Sequence, residues 1–362
     1  MPKTMRGVFF LGPRQLELRE VPVPVPGAGE VVVKIAAATT CGTDLKAYKR
    51  GHRLMPPPMP FGHEWAGIIA SIGKDVGRWK EGDRVTGANS APCNGCFYCR
   101  RGQPQLCERL DDRFNWGSYA DYFRIPAPIV AQNMHAVPTH LAFEHAAMVE
   151  PLACAVHCGV RSGIQLGDTV VIIGPGAQGL MHIQIAKAMG AARVIVIGRS
   201  QARLAVAHLL GADDVFSSND GDAVAFVHER TAGRGADVTI EAAGSPDTWR
   251  AAFEMTRPGG TAMMFGGLPG GTQVGFDATR LHYSEVTPRA TFHHTPRTVE
   301  MAMAMLTSGQ IDAAKLVEGQ VSLEQTEGAL QRMDRSEVIK LAVVPDVAPD
   351  LVSNVVPSVA SG

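Results

Sequence analysis

Short apolar runs separated by glycine and proline dominate the first 150 residues of the chain. Strand-like runs lie at residues 7–10, 31–36, 67–72, 84–86 and 119–124, and a Pro/Gly-rich stretch at 21–29 interrupts them. Short apolar runs bounded by turn-forming residues are typical of β-strands joined by irregular loops. The pattern therefore predicts a β-rich domain over residues 1–150.

The pattern changes near residue 151. β-Branched runs at 169–173, 193–197, 236–240 and 261–265 alternate with helical periodicity at 177–189 and 201–210. Because each crossover helix must cover one face of the sheet, this alternation predicts a parallel, doubly wound α/β domain over residues 151–293. A further helix is predicted at 296–306, and the Pro-, Ser- and Val-rich tail at 346–362 is expected to be flexible.

Composition and charge exclude several function classes. A chain of 362 residues suits two domains, and 45% hydrophobic with 19% charged residues is typical of globular proteins with a sizeable core. The formal net charge of -1 supplies no field for nucleic acid or an anionic membrane, so neither is an expected partner. No apolar run reaches the ~20 residues of a membrane span and no signal peptide is recognisable, so we expect a cytoplasmic location.

A glycine-rich loop joins the first predicted strand and helix of the second domain. It fits the pattern G-x-G-x-x-G, with predicted dinucleotide contacts at Gly174, Gly176, Ala177, Gln178 and Gly179. The first glycine permits a tight turn, the second lets a pyrophosphate approach the backbone, and the third lets helix and strand pack closely. The helix N-terminus then offers free N–H groups to the phosphates. The alternative is an ordinary glycine-rich turn.

The end of the next strand bears on the choice of cofactor. An NAD site usually has an acid there that accepts a hydrogen bond from the ribose 2′-hydroxyl. Here the strand ends in Gly198, Arg199 and Ser200, with Arg203 one turn later and no acid. A guanidinium favours a 2′-phosphate, so the sequence predicts NADP, with Arg199 as the main contact. The alternative is NAD, with Arg199 facing solvent.

Four of the seven cysteines lie close together, at Cys93, Cys96, Cys99 and Cys107. Four thiolates in one loop can enclose a zinc ion in a closed tetrahedral site. An iron–sulfur cluster is the rival, but its typical run has a fourth cysteine after three residues and a following proline, whereas this gap is seven residues long. The spacing therefore favours a structural zinc over a cluster or unliganded thiols.

A second group of possible ligands is spread along the chain: Cys41, His63, Glu64 and Glu150. Each alone is more often a packed core residue than a ligand. However, a hydroxyl and an acid, Thr43 and Asp44, follow the thiol closely. A thiolate, an imidazole and a carboxylate suit a catalytic zinc that keeps one coordination position open.

Together these motifs resemble the zinc-containing medium-chain dehydrogenases, particularly their sorbitol/polyol and threonine dehydrogenase branch. The resemblance extends from Val8 to Val344 and rests, in order, on Glu30-Val31, Cys41-Gly42-Thr43-Asp44, Gly62-His63-Glu64, Gly82-Asp83-Arg84-Val85, the four-cysteine loop, Gly117-Ser118-Tyr119-Ala120-Asp121-Tyr122, Glu150-Pro151-Leu152, the glycine loop and Gly211-Ala212-Asp213. It implies a GroES-like catalytic domain at 1–150, a Rossmann domain at 151–293 and a return segment at 294–345 that completes the catalytic domain. It also implies a homodimer or homotetramer.

The resemblance further implies roles for individual residues. Cys41, His63 and Glu150 are expected to bind the catalytic zinc, with Cys154 as an alternative ligand. The family's residue at this position lies near the metal and exchanges onto it, so the resemblance implies Glu64 as a further residue of the catalytic zinc site. Thr43 is expected to pass the alcohol proton outward, and Asp44 to steady the zinc site.

Two positions depart from the family pattern. Lys46 replaces the family's relay histidine, so we expect it either to relay a proton or to contact a polar substrate. The stretch at 291–295 differs from that near the family's substrate pocket, which leaves His293 and His294 as substrate contacts or as surface residues.

The implied activity is hydride transfer between a secondary alcohol and NAD(P). Polar candidates for the substrate pocket, Lys46, Tyr48, Arg50 and His293, favour a polyol, sugar derivative or amino alcohol. The alternatives are reduction of a carbonyl substrate in the reverse direction, a zinc-free reductase of the same superfamily, and a non-catalytic, cofactor-sensing member.

Overall fold

The computed structural model describes residues 1–346, so nearly all of the tail predicted at 346–362 lies outside the described residues. The chain forms two compact units. The first contains Met1–Glu150, Thr295–Thr307 and the chain from Leu316 onward, and the second contains Pro151–His294 and Ser308–Lys315.

The elements follow one another in chain order. The first part contains β1 (Thr4–Gly12), β2 (Gln15–Pro22), β3 (Val31–Thr39), α1 (Gly42–Arg50), β4 (Met59–Pro60), β5 (Trp65–Ile72), β6 (Arg84–Gly87), α2 (Phe97–Arg100), β7 (Tyr122–Ile125), α3 (Ala127–Gln132), β8 (Met134–Ala136) and α4 (Phe143–Ala146). The second part contains α5 (Val149–Ser162), β9 (Thr169–Ile173), α6 (Ala177–Ala188), β10 (Arg193–Gly198), α7 (Gln201–Leu209), β11 (Asp214–Ser217), α8 (Ala223–Arg230), β12 (Ala236–Glu241), α9 (Pro246–Met255), β13 (Thr256–Met264), α10 (Ala278–Tyr283) and β14 (Thr287–Ala290). The last part contains α11 (Pro296–Thr307), β15 (Val317–Val321), α12 (Thr326–Asp334) and β16 (Lys340–Val343).

The first unit is built on a sheet in the order β15-β16-β3-β5-β6-β8, with β7 paired to β3, beside a three-stranded sheet in the order β2-β1-β4. Strand β3 is buried along nearly its whole length, as its sequence Val-Val-Val-Lys-Ile-Ala-Ala-Ala-Thr suggests for a strand covered on both faces. The late strand β16 pairs antiparallel with β3, with Ala342 opposite Thr39. This pairing brings the end of the described chain beside the loop that follows β3.

The second unit contains a parallel sheet in the order β11-β10-β9-β12-β13-β14. Helices follow the strands, as expected for crossover connections in a doubly wound fold. The prediction of a parallel α/β sheet is confirmed. From β9 the chain adds β10 and β11 on one side, and after β11 it returns to add β12 on the other side of β9. The strand order therefore reverses at β9. In α/β proteins, ligands bind at the carboxyl ends of the strands beside such a reversal.

Three predictions of local structure need correction. The strand predicted at 119–124 begins at Tyr122, because Tyr119 and Ala120 instead bridge to β1. The strand predicted at 261–265 begins earlier, at Thr256, and ends at Met264. Ser308–Lys315, predicted as part of the return segment, belongs to the second unit, where the Asp312 N–H donates to Gln184 Oε1 at 2.6 Å.

Candidate metal centres and active site

The four-cysteine loop follows β6 and contains the short helix α2. One ligand atom from each of Cys93, Cys96, Cys99 and Cys107 lies within 4.8 Å of the others. Sulfurs at the corners of a tetrahedron with Zn–S bonds of about 2.3 Å would lie about 3.8 Å apart, so the cluster fits a closed zinc site.

Backbone amides support the negative charge of this cluster. The Cys93 N–H donates to Cys107 Sγ and the Cys96 N–H donates to Cys93 Sγ, each at 3.3 Å. The N–H of Gly95, together with that of Cys96, lowers the pKa of Cys93 to about 6. The aromatic side chain of Phe97 in α2 is 59% exposed, so it contributes little to a local core. A metal ion would therefore supply cohesion that the loop's own packing does not.

A second cluster forms where the start of α1, the segment just before β5 and the first turn of α5 bring together residues from distant parts of the sequence. Cys41 is the N-cap of α1 and its sulfur accepts from the Thr43 N–H at 3.4 Å. Ligand atoms of Cys41, His63 and Glu64 lie within 4.8 Å of one another. Glu150, in the first turn of α5, places Oε2 3.9 Å from His63 Nε2.

The electrostatics of this cluster favour a bound cation. Burial, followed by the nearby Glu64 carboxylate, raises the pKa of the Cys41 thiol. Burial also raises the pKa of Glu150 to about 7. Both shifts show that the site disfavours anionic ligands unless a positive charge compensates them. The donor set of thiolate, imidazole and carboxylate is one that Zn²⁺ accepts, so the residues fit this ion.

The imidazole of His63 is held by a chain of buried hydrogen-bonding groups. Its Nδ1 lies 3.0 Å from Oδ1 of Asp44, which has no exposed surface. The Tyr119 hydroxyl donates to the other oxygen of Asp44 at 2.5 Å and also lies 3.2 Å from the Thr39 carbonyl. When Nδ1–H donates to Asp44, Nε2 is left with its lone pair available for a metal.

Glu64 occupies a different position from Glu150. Its Oε2 accepts from the Thr39 hydroxyl and from Lys340 Nζ, the latter at 2.6 Å. Lys340 is only 2% exposed and also donates to the Thr40 carbonyl at 2.5 Å. The other oxygen of Glu64, Oε1, is buried without a hydrogen-bond partner among residues 1–346.

Sequence reasoning missed the parts played by Lys340 and Tyr119. A signal for Lys340 existed, since it is a single charged residue within the apolar run Val338-Ile339-Lys340-Leu341-Ala342-Val343. Tyr119 lies in a motif that carried the family resemblance, but nothing in its sequence context indicated that its hydroxyl would reach Asp44.

The remaining predicted site residues lie in varied environments. Thr43 is half-buried and Lys46 is exposed on α1. Tyr48 is no longer a substrate candidate, because it is 3% exposed and its hydroxyl donates to Glu327 in α12 at 2.7 Å. His294 is 3% exposed, so it is not a surface residue, whereas His293 is half-buried with a left-handed φ of 58°.

The glycine loop between β9 and α6 has separate requirements at its three glycines. Gly174 has a φ of 97°, a conformation that favours glycine. A Cβ added to Gly179 would lie 2.0 Å from the Gly174 carbonyl oxygen, whereas one added to Gly176 would meet nothing within 4 Å. Gly176 is the N-cap of α6 and provides no side-chain cap, so the first N–H groups of the helix are available to a phosphate. Gln178 donates through Nε2 to the Pro151 carbonyl at 3.2 Å.

The end of β10 lacks an acidic side chain, as the sequence indicates. Gly198 packs against the glycine loop, since a Cβ there would lie 2.6 Å from the Pro175 ring. Arg199 is exposed, and Ser200 caps α7 by accepting from the Arg203 N–H at 3.4 Å. The first turn of α7 contains no acid, so nothing there repels an added phosphate.

Comparisons with known proteins agree with this arrangement. The model of the alcohol dehydrogenase GroES-like domain matches residues 27–139, and that of the zinc-binding dehydrogenases matches residues 177–308. The sorbitol dehydrogenase of Bacillus subtilis (strain 168) is 31% identical over 354 residues, which cover 96% of this chain and 99% of that protein. The L-threonine 3-dehydrogenase of Pyrococcus furiosus is 34% identical over 307 residues, which cover 83% of this chain and 86% of that protein.

A solved structure from Sinorhizobium meliloti 1021, described as a zinc-binding dehydrogenase bound to NADP, is 29% identical with a TM-score of 0.88. The match covers 95% of this chain and all of the other, 100%. Within residues 1–346, no helix combines the length and apolar character that crossing a bilayer requires. The chain therefore belongs to the zinc-dependent medium-chain dehydrogenase/reductase family, in its polyol and threonine dehydrogenase branch, and is a zinc-dependent alcohol or polyol oxidoreductase.

Proposed function

We propose that the enzyme oxidises a polar secondary alcohol, such as a polyol, sugar derivative or amino alcohol, with NADP as the hydride acceptor. The cluster of Cys41, His63 and Glu64, with Glu150 beside His63, carries the proposal, because its donor set of thiolate, imidazole and carboxylate fits a zinc ion. The names of two relatives, sorbitol dehydrogenase and L-threonine 3-dehydrogenase, support a hydroxylated polar substrate.

Two zinc sites follow from this proposal. Cys41 and His63 bind the catalytic ion together with a carboxylate from Glu64 or Glu150, and the four cysteines of the loop bind the structural ion. Bound catalytic zinc supplies a Lewis acid that lowers the pKa of an alcohol hydroxyl. The nicotinamide ring supplies the hydride acceptor.

The protein's own groups position the ligands and handle the proton. Asp44 keeps Nδ1 of His63 protonated, so that Nε2 is the coordinating atom. The Thr43 hydroxyl accepts the proton released from the substrate hydroxyl and passes it outward. Lys46, exposed on the same helix, is the next group available to relay that proton or to contact a polar substrate.

The cofactor assignment depends on β10 and the two helix N-termini. Gly174, Gly176, Ala177, Gln178 and Gly179 receive the pyrophosphate at the start of α6. Arg199 binds the 2′-phosphate, with Gly198 allowing close packing and Ser200 and Arg203 assisting. The absence of an acid in the first turn of α7 and the NADP described for the Sinorhizobium meliloti protein support this choice.

We also propose a cytoplasmic homodimer or homotetramer that acts on a small alcohol or ketone. Zinc sites rich in cysteine require reduced thiols, which a reducing compartment maintains. The resemblance to the polyol dehydrogenases supports an oligomer, and light scattering of the purified protein would distinguish a dimer from a tetramer.

A substrate screen tests the proposed function. Reduced-nicotinamide absorbance would be followed with the zinc-loaded enzyme, a panel of polyols, sugar alcohols, threonine and simple secondary alcohols, and each of NAD and NADP. We expect turnover with a polar secondary alcohol and a higher kcat/KM with NADP. A clear preference for NAD, or equal turnover with both, contradicts the cofactor assignment. Activity only in the ketone-reducing direction favours the alternative of a carbonyl reductase. No activity with zinc and cofactor bound favours the alternative of a non-catalytic, cofactor-sensing protein.

A pair of variants, one test and one control, examines the assignment of NADP as the cofactor. Arg199→Ala should raise the KM for NADP about tenfold, the loss expected for one charge-assisted contact, and should leave the KM for NAD nearly unchanged. Arg234→Ala is the matched control, because this exposed arginine precedes β12 at the amino end of a strand, away from the phosphate loop.

A further inference from the structure

We propose that Glu241, at the carboxyl end of β12, is a positioning residue that joins the loops after β12 and β13 into one rigid surface for the nicotinamide half of the cofactor. The inference rests on the proposed binding of NADP by the second unit. It gives a role to a fully buried acid that neither the zinc sites nor the phosphate loop uses.

The strand order places β12 and β13 in the second half of the nucleotide-binding sheet. A Rossmann sheet consists of two mononucleotide-binding halves, and a dinucleotide lies across the crevice between them. Strands β9, β10 and β11 form the first half, which carries the phosphate loop and the proposed 2′-phosphate contact, Arg199. The loops after β12 and β13, residues 242–245 and 265–268, therefore border the half of the crevice that receives the nicotinamide nucleotide.

One carboxylate oxygen gathers the loop after β12. Two N–H groups and a hydroxyl donate to Oε1 of Glu241: those of Ala243 at 2.8 Å, Gly244 at 2.7 Å and Thr248 at 2.7 Å. Hydrogen bonds to a charged oxygen are stronger than those between neutral groups, and a buried site strengthens them because little water competes. Glu241 therefore holds this loop and the first turn of α9 together.

The same residue also holds the loop after β13. The N–H groups of Phe265 and Gly266 donate to the Glu241 carbonyl at 3.0 and 2.8 Å. A Cβ added to Gly266 would lie 2.6 Å from Oε2 of Glu241, so the carboxylate packs directly against this backbone. The Trp249 Nε1–H donates to the Gly266 carbonyl at 2.9 Å. Since Trp249 follows Thr248 in α9, these contacts form a closed ring that starts and ends at Glu241.

The two loops present glycine backbone to the crevice. A Cβ added to Gly244 would lie 3.2 Å from the Gly267 carbonyl oxygen, so the two glycines lie side by side. Gly267 is exposed, and a Cβ added there would meet nothing within 4 Å. Glycine lets a ligand approach the backbone closely, and backbone N–H and C=O groups are suitable partners for a carboxamide. Such a surface suits the nicotinamide, and Glu241 beneath it supplies the rigidity that glycine lacks.

The loop after β12 also adjoins the phosphate loop. A Cβ added to Gly174 would lie 2.9 Å from the backbone nitrogen of Ala243, so this loop lies at the edge of the proposed cofactor site. Gly174 has its own support, because its N–H donates to the Ile197 carbonyl at 2.8 Å. A change at Glu241 should therefore affect the nicotinamide half of the site far more than the adenosine half.

Binding of NADPH and of its adenosine fragment tests the proposal. The fragment, adenosine 2′,5′-bisphosphate, contains the 2′-phosphate but no nicotinamide, and calorimetric titration of the zinc-loaded enzyme gives a Kd for each. Glu241→Gln keeps the shape of the side chain and removes its charge. We expect the Kd for NADPH to rise about tenfold, as for loss of one charge-assisted contact, and the Kd for the fragment to change by less than about twofold.

Asp237→Asn is the matched control, because it makes the same change near the amino end of β12. Asp237 also joins neighbouring strands: its Oδ2 accepts from the Thr169 N–H at 2.8 Å, and its Oδ1 accepts from Arg257 Nε at 2.5 Å. We expect both variants to lower the Tm, because each weakens hydrogen bonds to a carboxylate. Only Glu241→Gln should weaken the binding of NADPH.

Thr248→Val keeps the test open if Glu241→Gln does not fold. It removes the hydroxyl that donates to Oε1 of Glu241 and leaves the carboxylate in place. The Kd for NADPH should rise about threefold, the scale of a single hydrogen bond, with the fragment unaffected. Thr248→Ser retains a hydroxyl and should restore the Kd of the parent enzyme.

Three outcomes would overturn the proposal: unchanged NADPH binding in Glu241→Gln, an equal loss for NADPH and the fragment, or an equal loss of NADPH binding in Asp237→Asn. Failure of the proposed function is distinguishable, because the parent enzyme itself would then bind NADH more tightly than NADPH. The same comparison would in that case use NADH and adenosine 5′-monophosphate, and the expected split between the two ligands is unchanged.

Discussion

The two candidate metal centres of the first unit are built in opposite ways. The four sulfurs of the loop come from residues 93–107, and the loop offers little packing of its own. The cluster around Cys41 gathers residues from three distant parts of the chain and surrounds them with buried partners, Asp44, Tyr119 and Lys340. The difference indicates that the loop depends on its metal for structure, whereas the fold prepares the active site before a metal binds.

The two centres are therefore expected to affect different properties: the four-cysteine site affects stability, and the site around Cys41 affects catalysis. A closed site of four thiolates has no position for substrate, so its ion contributes folding free energy. A catalytic site instead keeps one coordination position for substrate, so loss of its ion is expected to remove activity. Variants of the two centres should therefore affect different measurements.

The largest effect on activity is expected from Cys41→Ser. Loss of this thiolate removes the catalytic ion, and turnover should fall roughly a thousandfold or more because the Lewis acid is lost. Metal analysis should show that one zinc ion is lost while the four-cysteine ion remains. Titration with the reduced cofactor should give unchanged binding, since the glycine loop lies in the other unit. Near-normal turnover would contradict the assignment of Cys41.

Cys99→Ser should have the opposite profile. Three thiolates hold zinc less tightly than four, so the loop should loosen and the Tm should fall by roughly 5–10 °C in a calorimetric scan. Limited proteolysis should then cut between residues 93 and 107, while turnover per folded molecule stays close to that of the parent enzyme. An unchanged Tm with lost turnover would reverse the comparison between the centres. Strong chelation of the parent protein, as a control, should give the same shift in Tm.

The two centres also differ in how far the sequence could predict them. The spacing of Cys93, Cys96 and Cys99 is local, so the sequence alone indicates a closed site. The Rossmann strands and the glycine loop were predictable for the same reason, because each depends on residues a few positions apart. Ser308–Lys315 was assigned to the wrong unit, because its contact with Gln184 spans 128 positions.

For the active site, the sequence predicted residue types but not their partners. Tyr119 reaches Asp44 across 75 positions and Lys340 reaches Glu64 across 276 positions. Glu64 and Glu150 are both carboxylates near the same imidazole, and only the fold reveals that a lysine holds one of them. Which oxygen of a carboxylate is engaged is a property of packing, and no local pattern records it.

Tyr119→Phe is expected to have the smallest effect and is the most selective test of the comparison. The ring packs edge-on against Phe61, with centroids 5.9 Å apart, and phenylalanine preserves this contact. The change removes the hydroxyl's hydrogen bond to Asp44 and its contact with the Thr39 carbonyl, so the orientation of His63 should relax slightly. We expect zinc affinity at the catalytic site and kcat to fall by about tenfold or less, with the four-cysteine ion unaffected.

Tyr48→Phe is the matched control for this prediction. It removes a hydrogen bond of similar length in the same unit, from the buried Tyr48 hydroxyl to the carboxylate of Glu327 in α12 at 2.7 Å, and Glu327 is not a metal ligand. If both variants lower the Tm equally and only Tyr119→Phe weakens zinc binding, the hydroxyl of Tyr119 acts through Asp44 on the metal. If zinc affinity falls equally in both, the hydrogen bond serves only general stability, and the active site is less specifically prepared by the fold than its geometry implies.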